Sequence, residues 1–306
     1  MKKYQLAIIG VLLFGFLAIT FWNQISDAEK NKEITASQAG NSHSDIRQFW
    51  EYYHTATDLR VEEQYPEAAN YYRRVLSLNP VHEDALYYMG NVQMQMGHYQ
   101  EAKKSWHLLI TKNRFSSRGH SQLGMLYFCT DKENDQFDLV SSREHFKRAA
   151  ELNREETGPL LNLSKINLLH EQYNRSEKYL NDITSTNFMN EEAFFLLGYL
   201  AWRDGNHEKA GRNLTRSAEI VSKYSKSDMA GEGATKSGSS PMILEDNRCD
   251  FIGNTIQNLL GRQASDSQDI PADQLYHRFA EKMAELRKAL SIPIQSDVRH
   301  SEEAGK

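Results

Sequence analysis

A register of small residues limits this chain more than any other feature of its sequence. Ala68, Ala102, Ser142, Ser176 and Ala210 follow one another at spacings of 34, 40, 34 and 34 residues. A second column, Ala56, Gly90, Gly124, Ser164 and Gly198, is spaced 34, 34, 40 and 34. Both columns carry the same six-residue irregularity. That places one insertion between Gly124 and Ser142, where the polar stretch Thr130 to Asp138 predicts a lengthened loop. Four residues after the first column stand Tyr72, Trp106, Phe146, Leu180 and Leu214, one turn along the same helix face. Small side chains let two helix axes approach closely, and a large one would part them. A period of this length therefore predicts stacked helix pairs, with Pro66 in a first turn and Pro80 ending a second helix.

These columns resemble the tetratricopeptide repeat family, whose pattern of small residue, aromatic, small residue and terminal proline fits five consecutive segments, 49–82, 83–116, 117–156, 157–190 and 191–224. The resemblance is clearest in LYYMGNVQMQMGHYQEA and FFLLGYLAWRDGNHEKA, which carry turn glycines Gly97 and Gly205. It implies an all-α fold, a right-handed superhelical solenoid of about five helix pairs whose first helices line a concave groove. Carried over by position, the groove residues are Trp50, Tyr53, Tyr87, Asn91, Met94, Met125, Phe128, Leu161, Lys165, Phe195, Tyr199 and Trp202. That lining is largely aromatic and aliphatic. It lacks the paired Lys and Asn with which chaperone-binding relatives hold a peptide carboxylate, and it suits an apolar helix or peptide as partner.

The amino terminus places Lys2 and Lys3 before an uncharged apolar run from Leu6 to Trp22. The run predicts a transmembrane signal anchor over 1–22, because its length approaches what a bilayer core requires. A cleaved secretory signal is the alternative, with Ser26 and Ala28 as the small residues of a cleavage site. The lysines hold their end on the cytoplasmic side, so the remainder is expected to be extracytoplasmic in a bacterial inner membrane, or secreted or periplasmic if the signal is removed. Residues 23–48 read as a polar tether, 225–240 as a flexible linker and 292–306 as a disordered tail.

Between linker and tail, residues 241–291 predict two helices, Asp246 to Leu260 and Pro271 to Leu290. The second has an apolar stripe of Leu275, Phe279, Met283, Leu286 and Leu290. Three placements are open for that stripe: a cap on the end of the solenoid, an occupant of the groove, or a surface for another protein.

A formal net charge of −5 with interspersed signs offers no basic stripe for a phosphate backbone, so nucleic acid is not an expected partner. Cys129 and Cys249 lie too far apart in sequence for a zinc ligand set. Cys129 reads first as a small buried hydrophobe and second as one half of a bridge to Cys249. The eleven histidines show no two-His spacing backed by carboxylates, no nucleophile motif stands in a strand-to-helix context, and GATKS lacks the glycine pair of a phosphate loop. No catalytic residue, cofactor or metal is called for. The expected function is a non-enzymatic, membrane-tethered scaffold or assembly factor, with a secreted accessory or regulatory subunit of an envelope enzyme complex as the alternative. Oligomeric state stays open.

Overall fold

The computed structural model describes residues 44–131, 134–230, 249–265 and 270–292. The predicted anchor, most of the tether, most of the linker and all but the first residue of the tail lie outside the described residues. Among the described residues no helix is long and apolar enough to cross a membrane.

Every regular element among the described residues is an α-helix. The first, α1, covers 44–61. The others are α2 (Tyr65–Leu78), α3 (Glu83–Gln95), α4 (Tyr99–Lys112), α5 (Ser117–Phe128), α6 (Leu139–Leu152), α7 (Gly158–Leu169), α8 (Tyr173–Thr186), α9 (Glu191–Arg203), α10 (His207–Ala230), α11 (Phe251–Ser265) and α12 (Ala272–Ala289). The helix boundaries correct three expectations. α1 begins inside the predicted tether, α10 runs on to Ala230 where a linker was expected, and α11 is shifted about one turn towards the carboxyl terminus.

The chain divides into two compact units, residues 1–85 and 86–306. In the first, Ala56, Ala68 and Tyr72 are wholly buried where α1 and α2 meet, and Thr57 Oγ1 lies 3.4 Å from Tyr72 Oη. Pro66 sits in the first turn of α2, where its missing N–H costs nothing. Asn79 caps the helix before Pro80 can interrupt it.

In the second unit the small-residue columns explain themselves by contact. A Cβ on Gly90 would lie 2.2 Å from Trp106 Nε1, and one on Gly124 would lie 2.7 Å from the Phe146 ring. The two serines that replace alanine in the later repeats are also buried, and each finds a carbonyl across the helix pair. Ser142 Oγ donates to Gly124 O at 2.8 Å, and Ser176 Oγ donates to Ser164 O at 3.1 Å. A hydroxyl thus fits a contact site built for a methyl group because its one polar atom is satisfied.

The insertion between α5 and α6 folds back rather than standing free. Buried Asn134 donates through Nδ2 to Leu126 O at 2.8 Å and Cys129 O at 3.0 Å, occupying carbonyls at the end of α5. Tyr99 Oη donates to Asp131 Oδ2 at 2.8 Å, which ties the insertion to α4. Asp138 then caps α6 by accepting from the amides of Val140 and Ser141. Those bonds, led by that from the Ser141 hydroxyl, hold its carboxyl below the usual aspartate value.

Candidate functional site

The largest core of the second unit joins α7 and α9 to α11 and α12, so the site begins with how the carboxyl-terminal segment reaches the repeats. Cys129, at the end of α5, forms a disulfide with Cys249, whose Cα is 3.9 Å away. This corrects the first reading of Cys129 as an unpaired hydrophobe. It is buried as expected, but its sulfur is bonded across a sequence separation of 120.

One residue beyond the disulfide, Asp250 enters a buried ion cluster. Lys165 on α7, with 1% of its side chain exposed, places Nζ 2.5 Å from Asp250 Oδ2 and 2.5 Å from Glu192 Oε2. Burial alone would lower the Lys165 pKa, but Asp250 and then Glu192 outweigh it and hold the ammonium above its ordinary value. Burial pushes the Glu192 carboxyl up against the pull of Lys165. The other Asp250 oxygen, Oδ1, accepts from the Gly253 amide at 2.9 Å and so seats the first turn of α11. A Cβ on Gly253 would lie 2.4 Å from Asp250 Oδ2 and 2.9 Å from Glu192 Oε1. Glycine is required there by close approach, not by backbone conformation.

α12 completes the cover. Its predicted stripe is buried at Leu275, Phe279, Met283 and Leu286. Phe279 meets Phe195 at 5.2 Å and Tyr199 at 4.9 Å between ring centroids, and His277 stands edge-on to Trp202 at 4.7 Å. Trp202 Nε1 donates to Asp273 Oδ1 at 2.7 Å, and Arg287 pairs with Glu171 at 3.3 Å. Tyr276 Oη donates to Ala210 O at 3.4 Å and is the nearest side chain over Gly198. In the second and third repeats Trp106 and Phe146 cover the equivalent glycines from within the repeat. α12 therefore covers Phe195, Tyr199 and Trp202, the positions predicted for the groove of the fifth repeat, and also reaches α10. Cap and groove occupant, posed as alternatives, are here one arrangement.

Among the predicted groove residues, the structure brings together Leu161, Lys165, Phe195, Tyr199 and Trp202 beneath or beside this segment, with Phe128 buried in the same core. Met125 packs at the edge of that core and of a second one around Trp106. Tyr87 and Met94 are partly exposed, and Asn91 is buried with Oδ1 lacking a hydrogen-bond partner among the described residues. Gln122 Nε2 donates to Tyr87 Oη at 3.3 Å, and the Arg118 guanidinium lies 4.7 Å from the centre of the Tyr87 ring. In the first unit, Trp50 is 47% exposed. Tyr53 lies with Phe49 about His82, at 5.5 and 4.9 Å between ring centroids. Asp250, Tyr276 and Arg287 stood outside the predicted set. Only the apolar stripe that Tyr276 flanks signalled that segment.

Paired helices stacked with small residues at their crossings define a helical-repeat protein. Residues 60–121 match the tetratricopeptide repeat family, and the helix pairs on either side of that match keep its register. Solved structures with a similar fold include MamA from Desulfovibrio magneticus RS-1, 13% identical, covering 57% of this chain and 96% of that one with a TM-score of 0.47. TTC0263 of Thermus thermophilus is 17% identical over 59% of this chain and 99% of its own, with a TM-score of 0.44. PilF of Pseudomonas aeruginosa is 17% identical over 59% of this chain and 81% of its own, with a TM-score of 0.48. No curated protein matches the chain.

Proposed function

We propose that this protein is a membrane-tethered, extracytoplasmic scaffold that holds a protein partner on the first-helix face of its second and third repeats. The observation that carries this reading is the covering of the fourth and fifth repeats by Asp250, α11 and α12. With Phe195, Tyr199 and Lys165 taken, Tyr87, Met94 and Met125 are the predicted groove positions of the second and third repeats that keep accessible surface. Their thioether and aromatic character, with Arg118 over Tyr87, suits an amphipathic helix bearing an acidic residue.

The Cys129–Cys249 disulfide supports an oxidising compartment. That agrees with the side of the membrane to which Lys2 and Lys3 direct the chain. The tether keeps the scaffold at the membrane and raises the local concentration of whatever it holds.

The test is a photocrosslinking residue at position 87 in the full-length protein on membranes, with position 104 on the second helix of the same repeat as control. An adduct with one envelope protein from position 87 and none from 104 is expected. No adduct from 87 in a folded protein, or equal adducts from both, would remove the groove reading. The mass of the amino-terminal peptide in the same sample decides the tether. If it is missing, the secreted accessory subunit takes the place of the tethered scaffold.

A further inference from the structure

Three helices bring together histidines that no sequence spacing connects: His107 on α4, His120 on α5 and His145 on α6. His120 Nδ1 lies 3.0 Å from His145 Nδ1. The rings of His107 and His145 are 6.2 Å apart between centroids, and His145 stacks on Tyr127 at 5.6 Å. Two ring nitrogens at hydrogen-bond distance share a single proton, one donating and the other accepting. Both imidazoles cannot be charged there unless they separate.

The charged groups that face the cluster add to this constraint. From α4, Lys103 extends over the Tyr127 ring, 5.0 Å from its centre, and donates to Gln136 Oε1 at 2.5 Å. From α6 comes Arg148, which is paired with Glu151 at 3.2 Å. The charges acting on the imidazoles are cationic, and the carboxylate of Glu151 is already engaged. Burial first lowers all three histidines; Lys103 adds to it at His107, Arg148 and then His107 at His120, and His120 and then His107 at His145, which is lowered to about 4. A metal centre fits less well. Among the described residues no three His, Cys, Asp or Glu side chains are arranged to hold one, and two permanent cations stand beside the rings.

We infer that His107, His120 and His145 form an acid-sensitive joint that loosens α5 against α4 and α6, and that the joint regulates the partner face which α5 also carries. The regulatory half rests on the function proposed above; the joint itself does not. α5 bears both surfaces: Arg118 and Gln122 meet Tyr87, while His120 and Tyr127 meet His145.

The direction follows from proton counting. An unfolded histidine titrates near about 6.5. Burial and the neighbouring imidazoles hold the folded His145 down to about 4, so between those values the opened chain binds more protons than the closed one. The joint is complete above the upper value and weakens as pH falls towards the lower.

Hydrogen exchange on the full-length protein in detergent micelles tests this, with α9 as an internal reference in the same unit. Between about pH 7.5 and about pH 5, protection of α5 is expected to fall about tenfold relative to α9 after correction for intrinsic rates. His120→Gln with His145→Gln should flatten that dependence. Protection of α5 that does not change with pH, or that falls equally in α9, overturns the joint. Where the double variant does not fold, histidine-labelled NMR of the unaltered protein decides, because a His145 midpoint at the free imidazole value also overturns it. The crosslink from position 87 then reads regulation: loss of the adduct in acid supports it, and an adduct indifferent to pH while α5 loosens refutes it. An adduct missing at neutral pH counts against the proposed function alone, since exchange still decides the joint.

Discussion

At the scale of single residues, Lys165 shows what position along a repeat reveals and what it hides. Its place on the first-helix face could be read from the register. Its partner Asp250, 85 residues on, lies across a stretch with no periodicity to follow. Replacing Lys165 by Met leaves Glu192 and Asp250 buried without their cation, and breaking such a pair costs about 3–5 kcal/mol. Part of that loss should return on acidification, because burial already raises Glu192 towards protonation. Urea denaturation of variant and parent at about pH 8 and about pH 5 checks this, the difference between them shrinking at the lower value. Gly253→Ala forces its methyl against Asp250 and Glu192, and a loss of about 1–3 kcal/mol is expected in the same assay. The small-residue columns were legible because members such as Gly90 and Gly124 face neighbours in their own repeat. Gly253 was not, because the groups that crowd it come from a cluster assembled by three distant segments.

Among elements, the turns between paired helices show a similar division. Gly97 and Gly205 have φ of 75° and 76°, the left-handed conformation that glycine adopts freely. Glu63 and Glu171 occupy the equivalent turns with φ of 62° and 59°. The geometry of the pair imposes the conformation whether or not a glycine marks it, so two of these turns carried a sequence signal and two did not. Glu63→Gly should relieve strain and raise stability by up to about 1 kcal/mol. The same change at Glu171 also removes the ion pair with Arg287, so its melting temperature should rise less or fall.

α12 was recognisable as an amphipathic helix, but no periodicity says which surface a stripe will cover. Phe279→Ala empties the centre of the contact with Phe195 and Tyr199. It should cost about 3–5 kcal/mol, read as faster exchange across α9 and α12 ahead of α5.

For the whole molecule, the disulfide is the feature that sequence could pose only as an alternative. Two cysteines give one possible pairing, but whether they meet depends on the path of a segment that the repeat pattern does not govern. Closing a loop of this size stabilises by about 5 kcal/mol in the chain-entropy model, so Cys249→Ser should lower the denaturation midpoint markedly. A reductant should bring the parent protein to the variant's value and leave the variant unchanged. The repeats before α5 should change least, since tetratricopeptide units depend mainly on their neighbours.

Cys129 and Cys249 also make the polypeptide a covalent ring with two tails. α6 to α10 belong to the ring, and α11 and α12 to one tail. A protease that cuts once anywhere between the two cysteines opens the ring and releases nothing. Such a nicked molecule runs as a single band on an unreduced denaturing gel and as two bands after reduction. A cut on either side of the ring sheds a fragment at once. Fragment patterns with and without reductant therefore assign each cleavage site to the ring or to a tail before any peptide is sequenced.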